Sequence, residues 1–184
     1  CKLKYKVNKV KEKTFSLSTT SVFTIKTKLI KKLISNFIIN INGGKMNILS
    51  LEGKWNLKAE KNIYNTELGL NLSPTVTFPG DIQTALLEAN PDFDPYYRDN
   101  ELKFQVPGQT YWTCTKNINV PKKMLKAHQF IEFDGIDTFA DIYVNDIFVG
   151  HTENFFRLWR FDITGILHEG ENTIQIKFTP SEAI

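Results

Sequence analysis

Cysteine and histidine are scarce in this chain, and their scarcity limits the chemistry that it can carry. Its 184 residues include two cysteines, Cys1 and Cys114, and three histidines. Two cysteines at this separation make neither a disulfide framework nor a zinc cluster of the usual spacing. His128, His151 and His168 also lack the mutual spacing of tetrahedral metal ligands. We therefore predict no metal site and no disulfide scaffold.

Acidic residues are nearly absent from residues 1–45, which hold eleven lysines, no arginine and one glutamate, a net charge of +10. The total charge of +3 leaves −7 for residues 46–184. Affinity for nucleic acid comes mainly from cations that neutralise phosphates. A mildly acidic domain is a poor match for a polyanion, so we predict no nucleic-acid partner.

Residues 1–45 also differ from the rest in composition. Lys, Ile, Asn, Phe and Thr dominate them, as expected of AT-rich codons, and Met46 opens a different segment. We predict that residues 1–45 are a non-native leader, translated from upstream DNA or unstructured, and that residues 46–184 form the domain. The alternative is a targeting segment, because Lys31-Lys32 precede an apolar stretch at residues 33–41. Polar residues interrupt that stretch, no small-residue cleavage site follows it, and it is shorter than the about 20 residues of a membrane span, so no membrane anchor is predicted.

Strand patterns dominate residues 46–184, with β-branched and aromatic runs broken by Gly, Pro, Asn and Asp. Residues 140–150 predict a β-hairpin, because two apolar runs flank Asn145-Asp146, a pair that tolerates positive φ. The run from Tyr111 to Val120 places Lys116 on an otherwise apolar face, so this lysine is expected near a sheet edge or reaching to solvent. The other predicted strands are Gly53–Leu57, Thr75–Phe78, Gln129–Phe133 and Thr173–Phe178. These patterns predict an all-β sandwich or barrel.

One short helix is predicted over Ile82–Ala89. Asp81 is a suitable N-cap, apolar residues recur at helical spacing, and Asn90-Pro91 ends the pattern. A short turn is also predicted to begin at Asp162 and to end by Gly170.

Four motifs, in the same order along the chain, resemble the N-terminal domain of family 2 glycoside hydrolases of the β-mannosidase branch. They are Phe78–Ile82, Asp94–Glu101, Phe133–Asn145 and Asn154–Thr164. The first two motifs are typical of the mannosidase branch, whereas the hairpin and the Gly170–Thr173 ending are common to family 2. Two departures are Asp146, where members often have Gly, and Cys114, where the family strand has Tyr.

This resemblance implies a jelly-roll β-sandwich like that of galactose-binding domains, packed beside a (β/α)₈ barrel with two catalytic glutamates. A barrel needs roughly 250 residues, so we expect residues 46–184 to be truncated before it, with no catalytic residue present and no activity alone. The implied parent removes terminal β-linked mannose from oligosaccharides, needs no cofactor, and has as partners a β-mannoside oligosaccharide and the missing barrel. A bacterial parent in the cytoplasm or periplasm is favoured. The alternatives are another family 2 specificity, a β-galactosidase or β-glucuronidase, and a free-standing carbohydrate-binding module.

The resemblance points to Asn154 as a substrate-binding residue, since related enzymes place a polar side chain from this position near the nonreducing sugar. An amide can donate to and accept from a hydroxyl at once. Asn in such a loop can equally be a turn former, and both readings stand at this point.

Two further groups of residues could contact a ligand. Trp55, Trp112 and Trp159 could stack on sugars, but core packing is favoured for all three, with the Trp159 indole largely buried. The carboxylates of Asp94–Glu101 lack the glycine of a calcium loop. That segment is predicted to be a structural loop, with Arg98 paired to a carboxylate or facing the barrel.

Overall fold

The structure is a computed structural model that describes residues 36–42, 45–64, 69–125 and 128–184. The chain separates into residues 1–33 and residues 34–184, and all described residues belong to the second unit. They form ten strands: β1 Asn36–Asn42, β2 Lys45–Ser50, β3 Gly53–Asn62, β4 Thr75–Phe78, β5 Thr110–Val120, β6 His128–Phe133, β7 Phe139–Val144, β8 Ile147–Thr152, β9 Trp159–Asp162 and β10 Gly170–Thr179. Two α-helices, α1 Ile82–Ala89 and α2 Asn100–Lys103, and three short 3₁₀ helices complete the described elements: Val106–Gln109, Lys122–Met124 and Ser181–Ala183.

The strands make two antiparallel sheets, one of four strands in the order β2-β1-β6-β9 and one of six in the order β4-β3-β5-β10-β7-β8. In strands such as β3, β7 and β10 alternate residues face inward, where side chains from both sheets join one core. The largest fully buried members include Trp55, Phe133, Ile38, Ile131, Ile142 and Ile174. Strands with one buried face and one polar face are what antiparallel sheets require. The predicted all-β sandwich is confirmed.

The sandwich starts earlier than the predicted boundary at Met46. Strand β1 lies between β2 and β6 and pairs with both. Ile38 stands opposite Ile131, and both are fully buried. These pairings place Asn36–Asn42 in the sheet, although Asn is uncommon in strands. The predictions for residues 1–35, including their origin, lie outside the described residues.

The predicted hairpin and helix are both confirmed. Asn145 and Asp146 have φ values of +50° and +62°, as a two-residue type I′ turn requires. Asp81 accepts a hydrogen bond from the Thr84 backbone N–H over 2.7 Å, and Asn90 ends α1. The structure adds the one-turn helix α2, which lies partly in the predicted loop. The Asp162 turn is also present: the side chain of Asp162 accepts from the Thr164 N–H over 2.8 Å.

The prediction for Lys116 named a sheet edge or a reach towards solvent, and the structure excludes only the edge. β5 lies inside the six-stranded sheet, so Lys116 is not at an edge. Its Nζ donates to the carbonyls of Glu52, over 3.1 Å, and Lys54, over 3.0 Å. Lys116 is half-buried, and this partial burial lowers its pKa. Its stem packs along the sheet while the ammonium reaches the two carbonyls, one of them on the exposed Lys54.

Candidate functional site

The loop of residues 153–157 follows β8 and carries Asn154, the predicted sugar contact. Thr152 anchors the start of the loop, since it is fully buried and its hydroxyl donates to the Thr138 carbonyl over 3.0 Å. Asn154 is exposed. Its Oδ1 accepts a hydrogen bond from the Phe156 backbone N–H over 2.8 Å, which makes an Asx turn. The turn-forming role is therefore present, and the sugar contact stays a prediction.

Trp159 holds the backbone of Asn154, and two aromatic residues follow Asn154 in the chain. The Trp159 indole N–H donates to the Asn154 carbonyl over 2.9 Å. The rings of Phe155 and Phe156 meet edge to face with centroids 5.2 Å apart, and Phe156 is 93% exposed. In the described part of the chain no hydrogen bond engages the Asn154 Nδ2. The loop thus holds the amide oxygen in place and leaves the nitrogen as a donor.

The three tryptophans divide between the core and this loop. Trp55 and Trp112 are 2% and 3% exposed, and their indole N–H groups donate to the carbonyls of Leu51, over 2.9 Å, and Pro107, over 2.7 Å. Their core assignment is confirmed. Trp159 is only half-buried, so the prediction that its indole is largely buried is wrong in extent. The exposed Arg157 lies over its ring, with 4.6 Å between the guanidinium carbon and the ring centroid.

A groove of about 690 Å³ opens at one end of the sandwich beside this loop. Aromatic and aliphatic side chains from both sheets line it, and Phe155 belongs to both the loop and the groove. Gly135 allows the Phe155 backbone to approach closely, because a Cβ at position 135 would lie 2.7 Å from the Phe155 carbonyl oxygen. Two carboxylates of the rim are already engaged: Asp81 caps α1, and Asp137 accepts from the Thr138 hydroxyl. The groove therefore has an apolar floor, and two of its lining carboxylates, Asp81 and Asp137, hold local structure.

The Asp94–Glu101 segment forms an exposed loop held by its own polar groups. Asp94 accepts from the Tyr96 N–H over 2.9 Å, and the Asn100 amide donates to the Asp94 carbonyl over 2.8 Å. Arg98, at φ +54°, lies over the Tyr97 ring at 5.0 Å. The predicted structural loop is present. Arg98 contacts the Tyr97 ring, whereas one of the two expectations was that it would pair with a carboxylate.

Neither a metal cluster nor an activated thiol is found in the described part of the chain. Across residues 36–42, 45–64, 69–125 and 128–184, no three His, Cys, Asp or Glu side chains are grouped to hold a metal ion. Burial raises the pKa of the Cys114 thiol to about 12, so at neutral pH it is a packed thiol and not a nucleophile. No helix among the described residues is long and apolar enough to cross a membrane.

Known proteins resemble this chain in both sequence and fold. A β-mannosidase from Rattus norvegicus is 31% identical over 130 residues, which are 70% of this chain and 14% of that protein. The solved structure of a β-D-mannosidase from Dictyoglomus thermophilum is 33% identical with a TM-score of 0.63, over 75% of this chain and 16% of the other. A β-glucuronidase from an uncultured Clostridium species shares the fold at a TM-score of 0.54 but only 17% identity, over 75% of this chain and 23% of the other.

The chain therefore spans about a seventh of the length of the curated relative from rat. A family model described as glycosyl hydrolase 2 galactose-binding domain-like matches residues 55–183. This range runs from the buried Trp55 of β3 to the last 3₁₀ helix, and so includes the hairpin, the loop of residues 153–157 and the groove. The chain belongs to the galactose-binding-like domain family of the family 2 glycosyl hydrolases.

Proposed function

We propose that this chain is the noncatalytic N-terminal sandwich of a retaining, exo-acting β-mannosidase that removes terminal β-linked mannose from oligosaccharides. One observation carries the proposal: identity is 31–33% to the two β-mannosidases and 17% to the β-glucuronidase of the same fold. A rival family 2 specificity would be expected to reverse that order.

In this proposal the chemistry belongs to two carboxylates outside the sandwich. One protonates the leaving oxygen, and the other attacks the anomeric carbon to give a glycosyl-enzyme that water resolves. No cofactor takes part. The sandwich contributes a rigid loop, in which the Asn154 Nδ2 donates to a hydroxyl of the nonreducing sugar, and the chain alone is inactive.

Exposed apolar side chains support a partner domain over a free-standing carbohydrate-binding module. Phe155 and Phe156 are 47% and 93% exposed, and their rings are in contact beside the apolar groove, whereas single soluble domains seldom leave large apolar patches uncovered. We propose that the catalytic barrel of the same protein covers part of this surface.

The test compares the complete product of the gene with this chain alone on chromogenic β-mannoside, β-galactoside and β-glucuronide. We expect the complete protein to hydrolyse the β-mannoside at the highest kcat/KM, and the chain alone to stay at the buffer rate. A preference for either other glycoside would refute the proposed specificity, and purified turnover by the chain alone would refute its noncatalytic role.

A further inference from the structure

The outer face of the six-stranded sheet carries two rows of side chains, each running in register across five strands. The first row consists of Lys58, Thr113, Lys177, Asp141 and His151. The second consists of Asn56, Thr115, Gln175, Tyr143 and Phe148. Together these ten residues form a surface that we name the polar sheet face. All except Phe148 carry a side-chain hydrogen-bond donor or acceptor.

A β-bulge brings the aromatic and charged ends of the two rows together. Phe148 and His151 are three residues apart on β8, so a regular strand would place them on opposite faces. The register shifts between Ile142 and Tyr143, which inserts one extra residue in β8. His151 Nδ1 therefore lies 2.7 Å from Asp141 Oδ1, and the Phe148 ring meets Tyr143 at 5.6 Å between centroids. Bulges often re-aim a side chain in this way.

The chemistry of this face favours a neutral ligand rich in hydroxyl groups. Lys58 is paired with Glu60, whose carboxylate lies 3.0 Å from the Lys58 Nζ, and Asp141 is paired with His151. Lys177 lies over the Tyr143 ring, 4.3 Å from Nζ to centroid, so the face carries both signs of charge and no strong excess of either. Phe148 is 55% exposed at one end of its row. An exposed ring offers an apolar contact, and the amides and hydroxyls beside it offer hydrogen bonds. The apolar face of a pyranose can pack on such a ring while its hydroxyls reach the amides and hydroxyls alongside.

The dimensions favour an extended chain over a single sugar. Neighbouring members of a row are one strand spacing apart, so each row spans four spacings, roughly 19 Å. One spacing is comparable to the length of a pyranose unit, and successive sugars of a linear chain can therefore meet successive strands. The amide and hydroxyl side chains of Gln175, Thr115 and Asn56 continue the row that starts at Phe148.

We infer that the polar sheet face binds a linear neutral oligosaccharide, with one sugar stacked on Phe148 and the next units hydrogen-bonded along the Gln175 row. It is a second carbohydrate site, formed by residues other than those of the loop at 153–157. The identity of the sugar as β-linked mannose rests on the proposed function, whereas the surface itself does not.

Calorimetric titration of the full chain with mannohexaose, cellohexaose and an anionic oligogalacturonate tests the inference. We expect mannohexaose to bind, and Phe148→Ala and Gln175→Ala each to weaken it about fivefold or more. Ile147→Ala is the matched control, because Ile147 is also exposed on β8 but lies outside the polar sheet face. Thermal melts of each variant check that the fold is retained.

The outcomes separate the site from the identity of its sugar. Binding of cellohexaose alone, lost in Phe148→Ala, would support the site and count against mannose as its sugar. Failure of the chain to bind either neutral hexaose, binding of the anionic sugar alone, or wild-type affinity in Phe148→Ala would overturn the inference. Hydrolysis of the chromogenic β-mannoside by the complete protein is scored separately, so the proposed function can stand where this site fails.

Discussion

The side chains of Asn145 and Asn172 join the β7–β8 hairpin to the start of β10, with the Asn145 Nδ2 donating to the Asn172 Oδ1 over 2.8 Å. Asn145 also donates to the Ile166 carbonyl over 3.1 Å and accepts from the Thr173 N–H over 2.9 Å. Asn172 is 2% exposed and donates to the His168 carbonyl over 2.7 Å. Two amides thus satisfy the backbone of three separate segments, and losing one leaves buried polar groups unpaired.

Asn145→Ala is expected to lower the free energy of unfolding by about 2–4 kcal/mol, because it removes three hydrogen bonds and places Ala at φ +50°. Urea melts measure the change. Asp146→Gly is the matched control at the other turn position: its φ is +62°, and Gly there should be neutral or stabilise by up to about 1 kcal/mol. Equal losses in the two variants would contradict the role given to the Asn145 amide.

The stability lost when a tryptophan is replaced by alanine should follow the burial of its ring. Trp55→Ala removes a fully packed indole and is expected to cost about 3–5 kcal/mol, as core Trp or Phe truncations do. Trp159→Ala should cost about 1–3 kcal/mol, since its ring is half-buried and one side contacts Arg157. Urea midpoints for both variants check the order. An unchanged midpoint in Trp159→Ala would remove its packing role and favour a ligand contact.

The sequence predicts the strands that alternate clearly and the elements with distinct end signals. The hairpin at Asn145-Asp146 and the helix capped by Asp81 were both predictable, because turn chemistry and capping are local. The sequence left a sheet edge open for Lys116, because its partners, the Glu52 and Lys54 carbonyls, lie more than 60 residues away in the chain. Local patterns cannot report which strand becomes central.

The candidate site was predictable only in part. Asn154 was identified through resemblance, and its loop is ordered by a contact that sequence spacing does not show, the Trp159 N–H to its carbonyl. The polar sheet face was missed altogether. Its rows depend on the register of five strands and on a bulge in β8, which are tertiary properties, although the odd spacing of Phe148 and His151 is a weak signal of the bulge.

Cys114 should be protected from alkylation in the folded state. Its pKa is about 12 against an ordinary value of 9.0, so the folded chain holds roughly a thousandfold less thiolate than an exposed cysteine at the same pH. In a Cys1→Ser background, iodoacetamide at pH 8 should label the protein at least about a hundredfold more slowly when folded than in urea. Equal rates would show that the site opens readily.

The raised pKa of Cys114 also predicts how the free energy of unfolding changes with pH. Because the folded-state pKa is raised, the contribution of Cys114 is fully present below pH 9.0 and is lost as the pH rises towards about 12. Cys114→Ala should flatten that part of the alkaline unfolding curve, measured by urea melts between these values. A curve as steep in the variant as in the wild type would assign the slope to other groups.

Asn154 variants of the complete protein test the proposed sugar contact. Asn154→Asp keeps an oxygen to accept from the Phe156 N–H but loses the amide donor, so the loop should survive while catalysis falls. We expect kcat/KM on a β-mannoside to drop about tenfold, the effect of one lost hydrogen bond to substrate, with an unchanged melting temperature. Wild-type kinetics in Asn154→Asp would leave Asn154 as a turn former only.

Two truncated chains test where the fold starts. A chain that begins at Asn36 retains all ten strands, whereas one that begins at Met46 loses β1 and the buried Ile38. β1 lies between β2 and β6, so its removal breaks both pairings and exposes the core beneath Ile131. Deleting one buried Ile side chain alone costs about 2–5 kcal/mol, and the Met46 chain should therefore melt far below the full chain or fail to fold. The Asn36 chain is expected to melt within a few degrees of it. If the Met46 chain were as stable as the Asn36 chain, β1 would be dispensable and the fold would begin at the boundary predicted from composition.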